Sequence, residues 1–415
     1  MTSQWCETTL GEICDKVGGI IQTGPFGSQL HESDYSQEGT PVVMPKDIIE
    51  GRIITDSVAR IASEHVERLS RHKLKPGDIV YGRRGDIGRQ ALIRKEQDGW
   101  LCGTGCLRLS LSNTVIEPLF LHYYLRQESV ISWISNQAVG ATLPNLNTSI
   151  LRSVPVRVPP LPVQRHLAGI LSAYDQLIEN NQRRIKILEE MARSLYREWF
   201  VHFRFPGHDK VKMVPSPLGP IPQAWGVKRL CEIASVNRTQ INPRNPPERV
   251  LYIDISSVSP GQINSLQMYT FAEAPGRARR IVQHGDIIWS CVRPNRRSHA
   301  LLLQPEPNTV ASTGFAVLTA TKVPFTFLYL STTTDDFVNF LANNATGAAY
   351  PAVTAKTFED AVLLIPPALL LKKFGEATIP MAEQIHVLQF QIQNLRRTRD
   401  LLLPRLLSGQ IPLAG

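Results

Sequence analysis

The sequence predicts an α/β protein: two tandem strand-rich α/β domains separated by two long antiparallel helices, the halves related by a pseudo-two-fold axis. Three observations carry this. Shifted by 207 positions, Gly140-Ala-Thr-Leu-Pro144 through Val158-Pro159-Pro160 falls on Gly347-Ala-Ala-Tyr-Pro351 through Ile365-Pro366-Pro367 without a gap. Each of those Pro-Pro pairs is followed by apolar residues at alternating steps of three and four, the spacing of a helical seam. And 415 residues exceed what one hydrophobic core usually holds.

Further pairs fall in the same order: Trp5, Leu10 and Ile13 with Trp225, Leu230 and Ile233; Gly77-Asp-Ile-Val80 with Gly285-Asp-Ile-Ile288; Thr104-Gly105 with Thr313-Gly314. The period is too long for a solenoid, whose units run about 20 to 50 residues, so a whole domain is duplicated.

Residues 1–160 form the first domain. Short β-type runs alternate with turns at Pro41–Met44, Gly77–Tyr81, Gln90–Ile93, Cys106–Ser110 and Val154–Val158, and Phe120 to Ser135 has helical spacing. A long helix follows over 161–203, with a heptad seam at Leu171, Tyr174, Ile178, Asn181, Ile185, Leu188, Ala192, Leu195 and Trp199. The lone Asn181 is expected to fix register and partner at some cost in stability. Phe205-Pro-Gly-His208 ends this helix, and 204–222 reads as a proline-rich linker. The second domain covers 223–367.

A second helix over 368–408 carries a poorer seam: Met381, Ile385, Leu388, Ile392, Leu395, Leu402 and Leu406. Pro380 is expected to kink or delay it, and Arg399 interrupts its apolar line. Residues 409–415 are a tail. Each helix finds its partner in the other. A helix of about 36 residues is roughly 54 Å long at 1.5 Å per residue, more than one duplex turn of about 34 Å. Two like domains on such a pair make a pseudo-dimer that can touch two patches of one duplex.

The composition is that of a folded soluble protein, 43% hydrophobic and 20% charged, which excludes a disordered chain. A formal charge of +9 favours a polyanionic partner. The six cysteines form no CxxC pair and have no His-rich neighbour, so neither a zinc site nor a disulfide framework is indicated, and a reduced cytoplasmic setting fits. The N-terminus lacks a basic head before an apolar run, and the greasiest stretch, Ala361 to Leu371, is broken by Pro366-Pro367, so neither a signal peptide nor a membrane span is expected.

Two long segments resemble one known family, the specificity subunits of type I restriction-modification systems. Its central signature is similar to Ile178-Glu-Asn-Asn-Gln-Arg-Arg-Ile185, Leu188-Glu-Glu-Met-Ala-Arg-Ser-Leu-Tyr-Arg-Glu-Trp-Phe-Val201 and Phe205-Pro-Gly207; its C-terminal signature is similar to Leu395 through Gly409. Gly24-Pro-Phe-Gly-Ser-Gln-Leu30 and Gly77 through Gly85 resemble segments of that family's target-recognition domains. The departures are Pro380 and the run Leu369 to Ile379, where a charged helical start is usual. The resemblance implies a DNA-reading chain. Separate modification subunits, expected as two, would bring S-adenosylmethionine and methylate adenine, and separate restriction subunits would translocate and cut with ATP and magnesium. The helices would space the domains and dock the modification subunits.

No catalytic constellation is evident. Asn245-Pro-Pro-Glu248 imitates the Asn/Asp-Pro-Pro-aromatic element of amino-methyltransferases, but Glu248 cannot stack on a flipped base, and no glycine-rich cofactor loop accompanies it. No GxxxxGK[ST] phosphate cradle occurs. Pro45-Lys-Asp47 with Glu50-Gly-Arg52 lacks a nuclease's second carboxylate, and Asp86, Asp254 and Asp286 read as turn and strand-end residues. No metal and no cofactor is expected in this chain.

Arginine reads guanine and Asn or Gln reads adenine in the major groove, while other Lys and Arg neutralise phosphates. Three matched loops supply such side chains. The first pairs Arg83, Arg84 and Arg89 with Arg293, Asn295, Arg296 and Arg297. The second pairs Thr142, Asn145 and Asn147 with Tyr350, Ala352 and Thr354. The third pairs Gln22, Thr23 and Ser28 with Asn237, Arg238 and Gln240, just after the first strand of each half. Differences between the halves point to an asymmetric split target. The rival readings are an adenine-N6 methyltransferase with a degenerate motif and a stand-alone DNA-binding regulator.

Overall fold

The computed structural model describes residues 5–56, 58–85, 87–137, 145–217 and 219–408. The chain forms two compact units. The first runs to Glu179 and takes in the chain again from Gln393; the second is Asn180–Ile392.

In the first unit, strands order themselves as Ile20–Thr23, Cys106–Ser110, Ile79–Gly82 and Gln90–Leu92, all antiparallel. A second four-stranded sheet has the order Leu101–Cys102, Thr40–Val43, Ala59–Ile61, Tyr35–Ser36, with a parallel pair at Leu101–Cys102 and Thr40–Val43. Cys6–Thr9 pairs with Pro155–Val158. Thr9 then caps the helix Leu10–Val17: its hydroxyl accepts from the Glu12 N–H while the Glu12 carboxylate accepts from the Thr9 N–H, a capping box stabilising the helix by about 1 kcal/mol. The helical run expected over Phe120 to Ser135 is two helices, Pro118–Tyr124 and Glu128–Gln137. The main core joins Tyr81, Leu107, Phe120, Leu121 and Ile134 to Leu167 and Leu171 of the first long helix and Leu406 and Leu407 of the second.

The second unit repeats the plan. Ala234–Val236, Phe315–Ala320, Ile287–Ser290 and His299–Leu301 form an antiparallel sheet in the same order. The other sheet again holds a parallel pair, Arg249–Ile253 with Thr309–Ser312, but its edge strands differ: Ala278–Ile281 borders Thr309–Ser312, where the first unit has only an isolated bridge between Lys73 and Leu101. Gly226–Arg229 pairs with Val362–Ile365 as Cys6–Thr9 does with Pro155–Val158. The segment expected as a linker is packed. Phe205 and Ile221 are buried in the unit's core, and Met213–Val214 pairs with Ile221–Pro222.

The first long helix is Leu161–Tyr196, continued by a π-turn over Arg197–Val201 that seats Phe200 in the core. The second is Ala368–Leu407, a single helix that runs on through Pro380. This corrects the expectation of a delayed start. Leu370, Leu371, Phe374 and Thr378 bury one face of the supposedly loose stretch, while Pro380 lies on the exposed face, where water can meet the carbonyl it leaves unbonded.

Within the first unit the two helices meet at Asp175 and Arg399; within the second at Asn181, whose amide donates to Gln391 Oε1 at 3.2 Å, and at Tyr196 and Trp199 against Phe374. In each unit, rising numbers on one helix meet falling numbers on the other, so the strands of the seam run antiparallel there. Leu171, Ile178, Asn181, Leu388 and Ile392 are buried; Ile185, Leu188, Leu195, Trp199, Ile385, Leu395 and Leu402 are half-buried. Arg399 is no mere interruption, since it sits in the seam to meet a buried carboxylate.

Candidate nucleic-acid interface

The register of the first unit's antiparallel sheet gathers its loops at one end. Thr23 stands opposite Leu107, Cys106 opposite Gly82, and Gln90 opposite Tyr81. The segments 24–29, 83–89 and 103–105 therefore leave from neighbouring strand ends. Gly24 donates to the Cys106 carbonyl at 2.9 Å, and a side chain there would collide with the Gly103 carbonyl, which explains glycine at this close approach. Arg83 N–H donates to Gly105 O at 2.8 Å, Leu146 N–H donates to Arg83 O at 2.9 Å, and Arg84 forms an isolated bridge with Asn145. Two of the three expected loops are thus laced together.

Side chains at this end differ in exposure. Arg84, Arg89, Asn145 and Ser28 are exposed. Arg83 is half-buried, its Nε donating to Leu146 O at 3.1 Å. Asn147 caps the helix Thr148–Arg152 by accepting from Ile150 N–H at 2.8 Å. Gln22 and Thr23 close the strand Ile20–Thr23 rather than follow it, and the Gln22 amide donates to Arg71 O at 2.6 Å. The apolar alternation of that strand is too short to mark its end in the sequence. Thr142 lies outside the described residues. Sequence reasoning did not single out Phe26, 56% exposed in the loop after Gly24. Its signal was an aromatic between proline and glycine with no apolar neighbour at strand spacing.

The second unit reproduces the lacing. Cys291 N–H donates to Gly314 O at 2.8 Å, Val353 N–H to Cys291 O at 2.9 Å, and Val292 bridges Ala352. Arg293 adopts a left-handed backbone, φ 50°, with its N–H on Pro351 O at 2.7 Å. Its guanidinium lies 4.6 Å over the Tyr350 ring and donates to Ala349 O at 3.3 Å. Tyr350 remains 69% exposed. Asn295 and Arg296 are exposed on the turn Pro294–Arg296, and Arg297 pairs with Asp335. Arg238 is exposed, whereas the side-chain Oδ1 of Asn237 accepts from Val317 N–H at 2.9 Å and from Arg280. Thr354 opens the helix Ala355–Asp360 as Asn147 opens its counterpart.

Each unit therefore offers one sheet end bearing exposed guanidinium, amide and aromatic groups on backbones fixed by inter-loop hydrogen bonds. Such groups can read base edges, stack and meet phosphates. Of the aspartates read as turn and strand-end residues, Asp86 lies outside the described residues, and the other two hold backbone amides. Asp286 is buried behind Gly285 and accepts from Gln283 N–H at 2.7 Å, and Asp254 accepts from Ser256 N–H at 2.9 Å. Among the described residues no three His, Cys, Asp or Glu side chains gather as a metal site, and no helix is long and apolar enough to cross a membrane.

A family model described as the type I restriction modification DNA specificity domain matches residues 2–190. The chain is 23% identical to the type I restriction enzyme MjaIX specificity subunit of Methanocaldococcus jannaschii, over 91% of this chain and 88% of that protein. It is 21% identical to the HindI specificity subunit of Haemophilus influenzae, over 99% of this chain and all of that protein. The crystal structure of the type I restriction-modification S subunit from M. genitalium shares the fold, with TM-score 0.62 at 16% identity, covering all of this chain and 98% of that one. Residues 2–190 thus match the type I restriction modification DNA specificity domain, and over most of its length the chain is similar to specificity subunits of type I restriction-modification systems.

Proposed function

We propose that this chain reads a bipartite, asymmetric DNA target, one word per unit, and does no chemistry itself. The observation that carries this reading is the repeated lacing of loops, Arg84 to Asn145 in one unit and Val292 to Ala352 in the other. The same backbone frame presents different side chains: Arg84, Arg89 and Asn145 in the first unit, Arg238, Arg293, Asn295, Arg296 and Tyr350 in the second. Equal frames with unequal readers call for two unlike half-sites. S-adenosylmethionine, ATP and magnesium then belong to partner subunits, two for modification and others for restriction, working with it in the cytoplasm. The half-exposed long helices are the surfaces on which the modification subunits dock.

The test is co-expression with a modification subunit from the same genome, followed by genome-wide mapping of methylated adenines. Methylation confined to one interrupted, non-palindromic motif is expected. A continuous motif, or none, overturns the reading.

A further inference from the structure

The first unit holds a cavity of about 320 Å³ whose lining includes Arg52, Arg94, His122, Arg126, Asp175 and Glu179, none of them used by the DNA-reading assignment. Both carboxylates are already engaged. Glu179 meets Arg52 and Arg94, each at 3.2 Å. Asp175 accepts from Tyr123 Oη at 2.8 Å and Arg399 Nη1 at 2.5 Å. Arg126 is placed differently. Its side chain is 18% exposed, its nearest carboxylate oxygen, on Asp175, is 3.6 Å away, and its five N–H donors form no hydrogen bond with a described residue. Gly51 leaves it room, because a side chain there would stand 3.0 Å from the Arg126 guanidinium carbon.

The charges do not balance. Four guanidiniums, of Arg52, Arg94, Arg126 and Arg399, face two carboxylates, and even with the more exposed Asp400, 2.8 Å from Arg399, one positive charge is in surplus. Burial holds His122 neutral, with a pKa lowered to about 3, so it adds none.

The fold does not require these charges. By strand register and the helical repeat, Arg52 corresponds to Gln262, Arg94 to Leu303, Arg126 to Thr333, Asp175 to Ala382, Glu179 to His386 and Arg399 to Ala192. The frame is otherwise kept: a side chain at Gly261 would approach Tyr329 as one at Gly51 would approach His122. Half-buried guanidiniums that the sister unit builds without call for an acceptor not supplied by the chain.

We propose that this cavity seats a phosphate-type oxyanion, gripped by the Arg126 fork with Arg94 and Arg52 at its rim. Guanidinium matches a tetrahedral oxyanion bidentately, and the volume lies at the lower end of small-molecule sites, roughly 300 to 1,000 Å³. The group can come from free phosphate or from a nucleoside monophosphate.

The test is thermal unfolding of the full chain, without DNA, titrated with sodium phosphate against sodium chloride at equal ionic strength. Phosphate should raise Tm saturably beyond chloride. Arg126→Gln should weaken half-saturation by about tenfold or more, and Lys186→Gln, on an exposed helix face, should leave it unchanged. In a second arm, adenosine monophosphate binding more tightly than phosphate assigns a nucleotide; equal or weaker binding assigns the free ion. No excess over chloride, or an unaltered half-saturation in Arg126→Gln, overturns the proposal. Should that variant fail to fold, Arg94→Gln, at a half-exposed site, decides: it must weaken half-saturation too, and an unchanged value overturns the proposal.

Discussion

The two units close the same helical junction with different chemistry. In the second unit Phe200 lies 4.8 Å from Phe374, 5.1 Å from Phe327 and 5.9 Å from Trp225, with Tyr196 and Trp199 packed beside it. Shifted by 207 positions, Phe200, Phe374, Tyr196 and Trp199 become Leu407, Leu167, Leu403 and Leu406. These leucines pack in the first unit's core with Phe120, the counterpart of Phe327, and with Trp5. About two turns further along, Ala382 and Ala192 of the second unit correspond to the buried Asp175–Arg399 pair of the first. The fold thus constrains the volume and position of these side chains more than their kind. One junction is held by rings, the other by aliphatic packing and a buried ion pair.

The largest test removes the central ring. Phe374→Ala should destabilise by about 4 kcal/mol, and its counterpart Leu167→Ala by about 3 kcal/mol, read from denaturant unfolding of the full chain. A reversed order would mean that the rings are less well packed than their spacings imply. The ion pair gives a sharper comparison. Asp175→Ala strands Arg399 and Arg126 without their carboxylate and should cost about 3 kcal/mol. Adding Arg399→Ala recreates the alanine pair of the second unit but leaves Arg126 without its carboxylate, so the double variant should recover in part, to a loss of about 2 kcal/mol. Additive losses would show that the two junctions are not interchangeable.

Much of this was legible in the sequence. The Pro-Pro repeat and the heptad spacing mark both long helices, because helical periodicity over ten turns is a strong signal. Asn181 stood out as a polar residue in an apolar seam and indeed meets a polar partner, Gln391. Pro380 misled, because a proline signals a break only where its missing donor would be buried, and exposure is not written in the local sequence. The loops at 83–89 and 145–147 were visible through glycine, proline and arginine. Their mutual bridge was not, since it depends on strand register across more than sixty residues. Nor could Arg126 be recognised, for its meaning lies in what surrounds it in space.

Acidification should separate the units as well. Burial lowers the pKa of His72 to about 4 and of His122 to about 3 in the first unit, and of His299 to about 4 in the second. Each binds a proton in the unfolded state, near the ordinary 6.5, before it does in the folded one. The stability they contribute is therefore complete above pH 6.5 and is lost as pH falls toward 4, by on the order of 3 kcal/mol per histidine. Burial also lowers the pKa of His386 in the second unit, but that ring is only half-buried; with two buried imidazoles against one, the first unit's amides should lose hydrogen-exchange protection first between pH 6 and 4.5. His122→Gln should lessen that loss; an unchanged profile would remove His122 from the cause.

The smallest expected effects concern reading, and they test whether the two sheet ends act independently. Arg84→Gln leaves the backbone bridge to Asn145 intact and removes only an exposed guanidinium. If Arg84 reads a base, one half of the methylated motif should relax at a single position, at about 1 to 3 kcal/mol of lost discrimination. If it neutralises a phosphate, methylation should weaken at all sites alike, and more steeply with salt. Arg296→Gln should do the same to the other half alone. Because each loop set is laced to strands of its own unit, each substitution is expected to alter its own word. A change in both words from either variant would mean that the halves do not read separately.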